Sequence, residues 1–221
     1  MISEVITESN TGEDINSINA FGFDGKCFDD AGEYDVAETD KPKTCCELVE
    51  SGKYEEAMEC IEKYLSKKPN NKQARITKGH LLIVLGKIEE AIEFINESLK
   101  INPNSAIDLN NKGWALYLLG KDEEAIKTFD ESLKIDPNSN YSIANKGWVL
   151  YEMGKFEDAL SYFNKALENK PDNDNYLTNK GLALNGLGKY KEAIKYFDKA
   201  LKINKTNEEA QEGKKHAQTN I

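Results

Sequence analysis

Residues 106–139, AIDLNNKGWALYLLGKDEEAIKTFDESLKIDPNS, contain the pattern that decides the fold of this chain. Their Gly120 recurs at a spacing of 34 residues as Gly86, Gly154 and Gly188, and a shorter copy of the pattern surrounds Gly52. A fixed period of this length is typical of a solenoid, in which each repeat buries its apolar face against its neighbours. The sequence therefore predicts an elongated array in place of one or two globular domains.

Further positions recur in register with the turn glycine. In four copies a second glycine lies seven residues before it, in all five an alanine lies five residues after it, and a proline closes the first four copies, while Lys205 takes its place in the last. Small residues at these positions allow two helices to approach closely, and proline stops a helix. The recurring residues are Gly79, Gly113, Gly147 and Gly181; Ala57, Ala91, Ala125, Ala159 and Ala193; and Pro69, Pro103, Pro137 and Pro171.

These residues make the chain resemble the tetratricopeptide repeat (TPR) family, whose helix-turn-helix modules have the same length. The resemblance covers about 180 of the 221 residues. It implies an all-α fold, a right-handed superhelical α-solenoid of antiparallel helix pairs with about five repeats and a C-terminal capping helix. The implied TPR solenoid spans 41–221, with repeats at about 41–71, 72–105, 106–139, 140–173 and 174–207 and a capping helix at 208–217.

Positions are numbered here from one at the first residue of each repeat, so that Ala106 is position 1. Positions 4, 8 and 11 share one arc of the first helix, which turns Leu109, Gly113 and Leu116 toward the second helix. Gly113 and the facing Ala125 are expected to let the two helices approach.

Two departures from the family pattern stand out. The first repeat is truncated, with Cys45 at a position where the family has a small residue. At position 7, where the family usually has leucine, four repeats have lysine, whose stems we expect between neighbouring repeats with the ammonium in water. These lysines are Lys78, Lys112, Lys146 and Lys180.

The last helix is predicted from different signals. Thr206 and Glu209 have the spacing of a capping box, which predicts a helix that ends at about Ala217. Its mostly polar sequence fits a cap that covers the last repeat and meets solvent on its other side.

The first 40 residues form an acidic segment that is predicted to be disordered. They hold eleven acidic side chains and the single Lys26, with no sustained apolar period. Phe21, Phe23 and Phe28 are either aromatics scattered in a flexible tail or a segment that docks in the groove of the array.

Charge and cysteine usage exclude several classes of partner and site. Outside the tail, basic and acidic side chains are equal in number, so the array has no basic footprint for nucleic acid or an anionic membrane. The four cysteines, Cys27, Cys45, Cys46 and Cys60, have neither a CxxC pair nor zinc-ligand spacing, so we expect no metal and reduced thiols, buried or half-buried at Cys45 and Cys46. With no signal-like N-terminus and no long apolar run, the expected location is cytoplasmic.

Positions 2, 5, 6, 9, 12 and 13 lie opposite the packing arc, and the resemblance places them on the concave face. Asparagine recurs there at position 6, where it either pairs with the backbone of a bound peptide or bonds to the neighbouring repeat and sets the geometry. The aromatics either supply binding area or wedge between repeats. The candidate peptide-binding residues are Asn110, Asn111, Trp114, Tyr117, Tyr141, Asn145, Trp148, Tyr151 and Asn179.

The sequence predicts a non-catalytic protein–protein interaction module, a scaffold or adaptor that binds an extended peptide in this groove. The alternatives are a structural subunit that self-associates through the solenoid faces and an unrecognised enzyme. Neither His80 nor His216 stands in a catalytic motif, and His80 is expected to line the groove. No cofactor site is predicted. Because Glu152 is the only formal charge on the full repeats' groove face, that face favours a neutral, apolar or modestly basic peptide.

Overall fold

The computed structural model describes residues 44–221, and that part of the chain contains eleven α-helices and no strand. The predicted tail lies outside the described residues, so both interpretations of its phenylalanines stay predictions. No helix among the described residues has the length and apolar character needed to cross a bilayer. The helices are α1 Cys45–Glu50, α2 Tyr54–Lys67, α3 Lys72–Val84, α4 Ile88–Ile101, α5 Ala106–Leu118, α6 Asp122–Ile135, α7 Asn140–Glu152, α8 Phe156–Asn169, α9 Asp174–Gly186, α10 Tyr190–Ile203 and α11 Glu208–Thr219.

The chain divides into two compact units, one that ends at Leu119 and one that runs from Gly120 to Ile221. The first unit contains α1 to α5 and the second contains α6 to α11. Odd-numbered helices are the first helices of the repeats, and even-numbered helices are the second helices.

A glycine turn joins the first helix of each repeat to the second. At Gly154, φ is +74°, in the left-handed region that a side chain at Cβ disfavours. The Gly154 amide donates to the Tyr151 carbonyl, and the next amide, from Lys155, donates to Leu150 at 2.9 Å. These bonds satisfy the carbonyls at the end of α7 and let α8 begin at once. The equivalent glycines have φ values of +70° to +72°.

The position-8 glycines make room for the side chain at position 24 of the second helix. A Cβ atom at Gly147 would lie 2.9 Å from Cε1 of Phe163, and one at Gly79 would lie 2.9 Å from Cγ1 of Ile95. Both Phe163 and Ile95 are fully buried. The predicted close approach is therefore present in these repeats, and it is the large residue of the second helix that requires the glycine.

Substituting Gly181 by alanine tests this packing. A Cβ atom there would lie 2.6 Å from Cε1 of Phe197, so Gly181→Ala is expected to lower the free energy of unfolding by about 1–3 kcal/mol through overpacking. Helix propensity alone would raise stability by roughly 1 kcal/mol. Overpacking and helix propensity therefore predict changes in stability of opposite sign. Urea unfolding measures the change, and the loss should shrink when Gly181→Ala is combined with Phe197→Leu. A more stable Gly181→Ala protein would contradict this account.

Two of the lysines at position 7, Lys78 and Lys146, each contact a carboxylate and an aromatic ring, a reason for lysine that the sequence analysis did not supply. Lys78 Nζ lies 2.8 Å from Glu62 Oε1, sixteen residues earlier on the preceding repeat, and 5.1 Å from the ring centroid of Phe94. Lys146 repeats the arrangement in the second unit, with the carboxylate of Asp130 and the ring of Tyr162.

Their environment explains why lysine suits this position. Burial lowers the pKa of Lys146, but the hydrogen bond to Asp130 and the contact with Tyr162 raise that pKa by more, so the ammonium stays charged. Lys78 and Lys146 therefore join neighbouring repeats, with their stems between them as predicted.

The thiol prediction is wrong at Cys45 and Cys46. Cys45 on α1 and Cys60 on α2 form a disulfide with their Cα atoms 5.4 Å apart, and Cys46 is disulfide-bonded as well. The pairing follows from the fold, because residues about equally distant from the turn at Gly52 lie opposite each other on antiparallel helices. Two cysteines fifteen residues apart match neither a CxxC motif nor the spacing of zinc ligands, so the sequence patterns considered above do not reveal this pair.

The start of α11 also differs from the prediction. The N-cap is Asn207, whose Oδ1 accepts from the Ala210 amide at 2.9 Å, in place of Thr206. Asparagine caps as effectively as threonine, and its amide nitrogen offers a further donor. Asn207 Nδ2 donates to Asp174 Oδ2 at 3.1 Å and to Thr178 Oγ1 at 3.2 Å, which ties α11 to α9.

Candidate functional site

In the first unit, the four candidate groove residues are packed side chains. Asn110 and Asn111 are each 2% exposed, and Trp114 and Tyr117 are also buried. The two aromatic rings stack at a tilt, with centroids 5.0 Å apart. These four side chains of α5 therefore offer almost no surface to a partner, although Ile107 on the same arc is 36% exposed.

His80 was expected to line the groove, and this interpretation is wrong. The side chain is 3% exposed, and burial lowers its pKa to about 4. The imidazole is therefore neutral at physiological pH and is inaccessible as a base or as a contact.

A buried polar cluster lies beside the packed aromatics of the first unit. Ser98 Oγ donates to Asp108 Oδ2 at 3.1 Å, and the Asp108 amide donates to Ser105 Oγ at 3.2 Å. Burial raises the pKa of Asp108, while the two serines and the Arg75 charge oppose that rise. The Arg75 guanidinium lies 4.6 Å from the ring centroid of Phe94. This cluster joins α3, α4 and α5 and is buried from substrates.

In the second unit, most of the candidates present surface. Asn145 is 3% exposed, but Tyr141, Trp148, Tyr151 and Asn179 are all half-buried. Half-buried side chains on α7 and α9 keep part of their surface available to a partner. The second unit thus holds the accessible part of the predicted site.

The aromatics of α7 continue into the next helix. The rings of Trp148 and Tyr151 lie 5.5 Å apart, and those of Tyr151 and Phe156 lie 5.6 Å apart. Phe156 begins α8, a second helix, and is absent from the candidates above, which all lie on first helices. A Cβ atom at Gly186 would lie 2.6 Å from Cδ1 of Phe156, so the end of α9 packs directly on this ring. The result is one aromatic row that spans α7 and the start of α8.

Helix α11 is built like another first helix. Its Ala210 and Ala217 are fully buried, and Lys214 Nζ lies 2.7 Å from Asp198 Oδ1, the arrangement already seen at Lys146. The 34-residue register carries Lys180 onto Lys214, a signal that was present in the sequence. In that register Glu209 and Glu212 occupy the groove positions 2 and 5.

Carboxylates surround Tyr151 at this end of the face. Burial raises the pKa of Glu152, and Asp122 raises it further. Burial also raises the pKa of Glu209, with contributions from Glu152 and then Glu212. The pKa of Tyr151 is raised by burial and then by Glu152 and Glu209, so these side chains are close enough to act on one another.

These carboxylates are not neutralised by the protein. Over residues 44–221, Glu152, Glu209 and Glu212 form no ion pair with a basic side chain. The described residues also contain no cluster of three His, Cys, Asp or Glu that could hold a metal ion. The site chemistry is therefore that of aromatic surface beside unpaired acceptors.

Comparisons with known proteins agree with the repeat pattern. Tetratricopeptide repeat profiles match residues 48–111, 106–139 and 145–208. No curated protein sequence matches the chain.

Solved structures with similar folds include two that are described as TPR proteins, TTC0263 and YrrB. TTC0263 from Thermus thermophilus is 18% identical with a TM-score of 0.70, covering 79% of this chain and 95% of that one. PilW, a type IV pilus biogenesis factor, is 24% identical with a TM-score of 0.68, covering 80% and 86%. YrrB is 20% identical with a TM-score of 0.58, covering 77% and 88%. The recurring residues, the helix pairs and the profile matches together show that the chain belongs to the tetratricopeptide repeat family.

Proposed function

We propose that this protein is a non-catalytic protein–protein interaction module, a scaffold or adaptor that binds an extended peptide segment against its first helices. The observation that carries the proposal is the half-buried aromatic row of Trp148 and Tyr151. Amphipathic aromatics with part of their surface exposed dominate binding hot spots. YrrB is described as a TPR protein with an unusual peptide-binding site, and its shared fold supports the same class of ligand here.

The asparagines at position 6 divide between the two roles considered for them. Asn145 is buried and so suits the structural role, setting the geometry between neighbouring repeats. Asn179 is half-buried, and its amide offers two donors and an acceptor to a peptide backbone. We propose that Asn179 sets the register of the bound segment and that Trp148 and Tyr151 provide its affinity.

A selection experiment with peptides of random sequence tests the proposal. Twelve-residue peptides are displayed on phage, selected on the wild-type protein, and synthesised with a fluorescent label for anisotropy. Trp148→Ala and Asn179→Ala are each expected to weaken the selected peptides by about tenfold or more, because each removes a contact without emptying a core. Tyr196→Ala, on second helix α10, is the matched aromatic control and should bind as the wild type does.

Circular dichroism shows whether the variants keep their helices. Selected peptides whose affinity does not change in Trp148→Ala or Asn179→Ala would contradict this binding face. Asn145→Ala is expected to lower stability, because its side chain is packed.

Self-association is the alternative function, and one observation favours it. Ile135 and Ile203 are 40% and 49% exposed at the same position of two second helices in the second unit. Exposed isoleucines on a repeated edge are suited to contact between copies. Light scattering over a dilution series distinguishes the two functions. A protein that stays monomeric and binds the selected peptides supports the adaptor function.

The cytoplasmic location was predicted from an N-terminus without a signal pattern, from the lack of a long apolar run and from thiols expected to be reduced. The Cys45–Cys60 disulfide instead favours an oxidising compartment, since cytosolic proteins seldom keep structural disulfides. We therefore propose that the protein works in an oxidising compartment, where this disulfide is stable.

A further inference from the structure

We propose that the end of the binding face formed by α7, α8 and α11 takes a lysine or arginine side chain, so that the preferred partner is a basic peptide segment. This inference rests on the proposed function and adds the charge of the ligand to it. The residues that carry it are Tyr151, Glu152 and Glu209, together with Trp148 and Asn185.

This end of the face has an excess of hydrogen-bond acceptors. Glu152 and Glu209 belong to different helices, and neither is engaged in an ion pair among the described residues. Asn185, on α9, donates from Nδ2 to the Gly213 carbonyl at 2.8 Å, which holds α11 beside α9 in this part of the unit. A lysine ammonium and an arginine guanidinium carry donors only, so they complement such a set.

The negative charges at this end of the face act on one another. Glu209 is held among the negative charges of Glu152 and Glu212, and this repulsion contributes to its raised pKa. A cation that docks there removes the repulsion and gains attraction to each carboxylate. A bound positive charge at this end of the face is therefore attracted by each of these carboxylates.

An aromatic surface lies next to the carboxylates. The rings of Trp148 and Tyr151 are half-buried and in contact, which offers an apolar face to the stem of a long basic side chain. A cation over such rings is attracted by their negative faces.

Charge also decides between possible occupants. Residues 1–40 of this chain hold eleven acidic side chains against Lys26, so their charge is opposite to the one required. A copy of the same chain has a formally neutral array with an acidic tail and is no better match. A basic segment of another protein is the occupant whose charge is complementary.

A matched pair of peptides tests the inference. One labelled peptide has the sequence Gly-Ser-Leu-Arg-Ala-Leu-Arg-Ala-Leu-Arg-Ser-Gly, and its twin has citrulline, which is uncharged and of the same shape, in place of each arginine. At low salt the wild type is expected to bind the arginine peptide about tenfold more tightly than the citrulline peptide. This preference should decline as salt is added, because the carboxylates are partly solvated.

Charge-removing variants locate the preference. Glu152→Gln combined with Glu209→Gln is expected to abolish the tenfold preference by weakening the arginine peptide only. The control combines Glu168→Gln with Glu192→Gln, two exposed residues of the second helices in the same unit, and changes the net charge by the same amount. The control should keep the full preference.

The outcomes separate this inference from the proposed function. Equal affinity for the two peptides, or equal losses in both double variants, overturns the inference. If both peptides bind equally and Trp148→Ala weakens both, the peptide-binding function stands and only the charge preference fails. If neither peptide binds the wild type, the inference is overturned and the phage selection decides the proposed function by itself.

Discussion

Replacing Cys45 and Cys60 by serine is expected to lower the free energy of local unfolding of α1 and α2 by about 3 kcal/mol. The disulfide closes a loop of 15 residues, and the entropy that such a loop removes from the unfolded chain corresponds to about this value. Helix α1 has only six residues, too few to persist without tertiary contacts. The loss therefore concentrates at this end of the first unit.

Amide hydrogen exchange measures the effect locally. The buried residues of α2, such as Ala57 and Ile61, should exchange faster by roughly two orders of magnitude in the double variant. Glu59→Gln, at an exposed position of α2, is the control, since it leaves every disulfide in place. Unchanged exchange of the α2 amides in the double variant would show that the disulfide does not support this helix pair.

Acidification is expected to destabilise the protein through His80. The pKa of this buried histidine is about 4 in the folded state and about 6.5 in an unfolded chain, so the unfolded state binds the proton first. The stability that the neutral imidazole provides is fully present above pH 6.5 and is lost as the pH falls toward 4. The loss amounts to about 2–3 kcal/mol by pH 4.5, at 1.36 kcal/mol per pKa unit.

The His80→Gln variant isolates this contribution. Urea unfolding of both proteins at pH 7.5, 5.5 and 4.5 should show that the wild type loses about 2–3 kcal/mol more than the variant over this range. Asp108 contributes with the opposite sign, because its raised pKa makes the folded state bind a proton more readily. That contribution is common to both proteins and cancels in the difference. Parallel pH profiles would mean that His80 takes up a proton in the folded state as easily as in the unfolded one.

Much of the fold could be predicted from the sequence because its determinants repeat. The turn glycines, the position-8 glycines and the closing prolines each act within one helix pair, so a 34-residue register is enough to place them. The disulfide between Cys45 and Cys60 occurs once, in the truncated repeat, and has no copy to reveal it. The cap at Asn207 was missed because its amide also bonds to α9, a contact that local spacing does not contain.

The binding face was predicted less completely, for a physical reason. Helical periodicity assigns a residue to an arc, but its exposure depends on how neighbouring helices cover that arc. Asn145 and Asn179 share position 6, yet only Asn179 keeps accessible surface. Glu209 was not considered because a polar last helix fits a cap as well as it fits a further first helix.

The lysines that join neighbouring repeats also bear on how the chain folds. Lys78, Lys146 and Lys214 each bind an acidic residue only sixteen positions earlier. Contacts over such short separations close small loops, which is the property of fast-folding helical proteins. During synthesis, each new first helix can therefore dock on the pair before it as soon as it leaves the ribosome, without waiting for the rest of the chain.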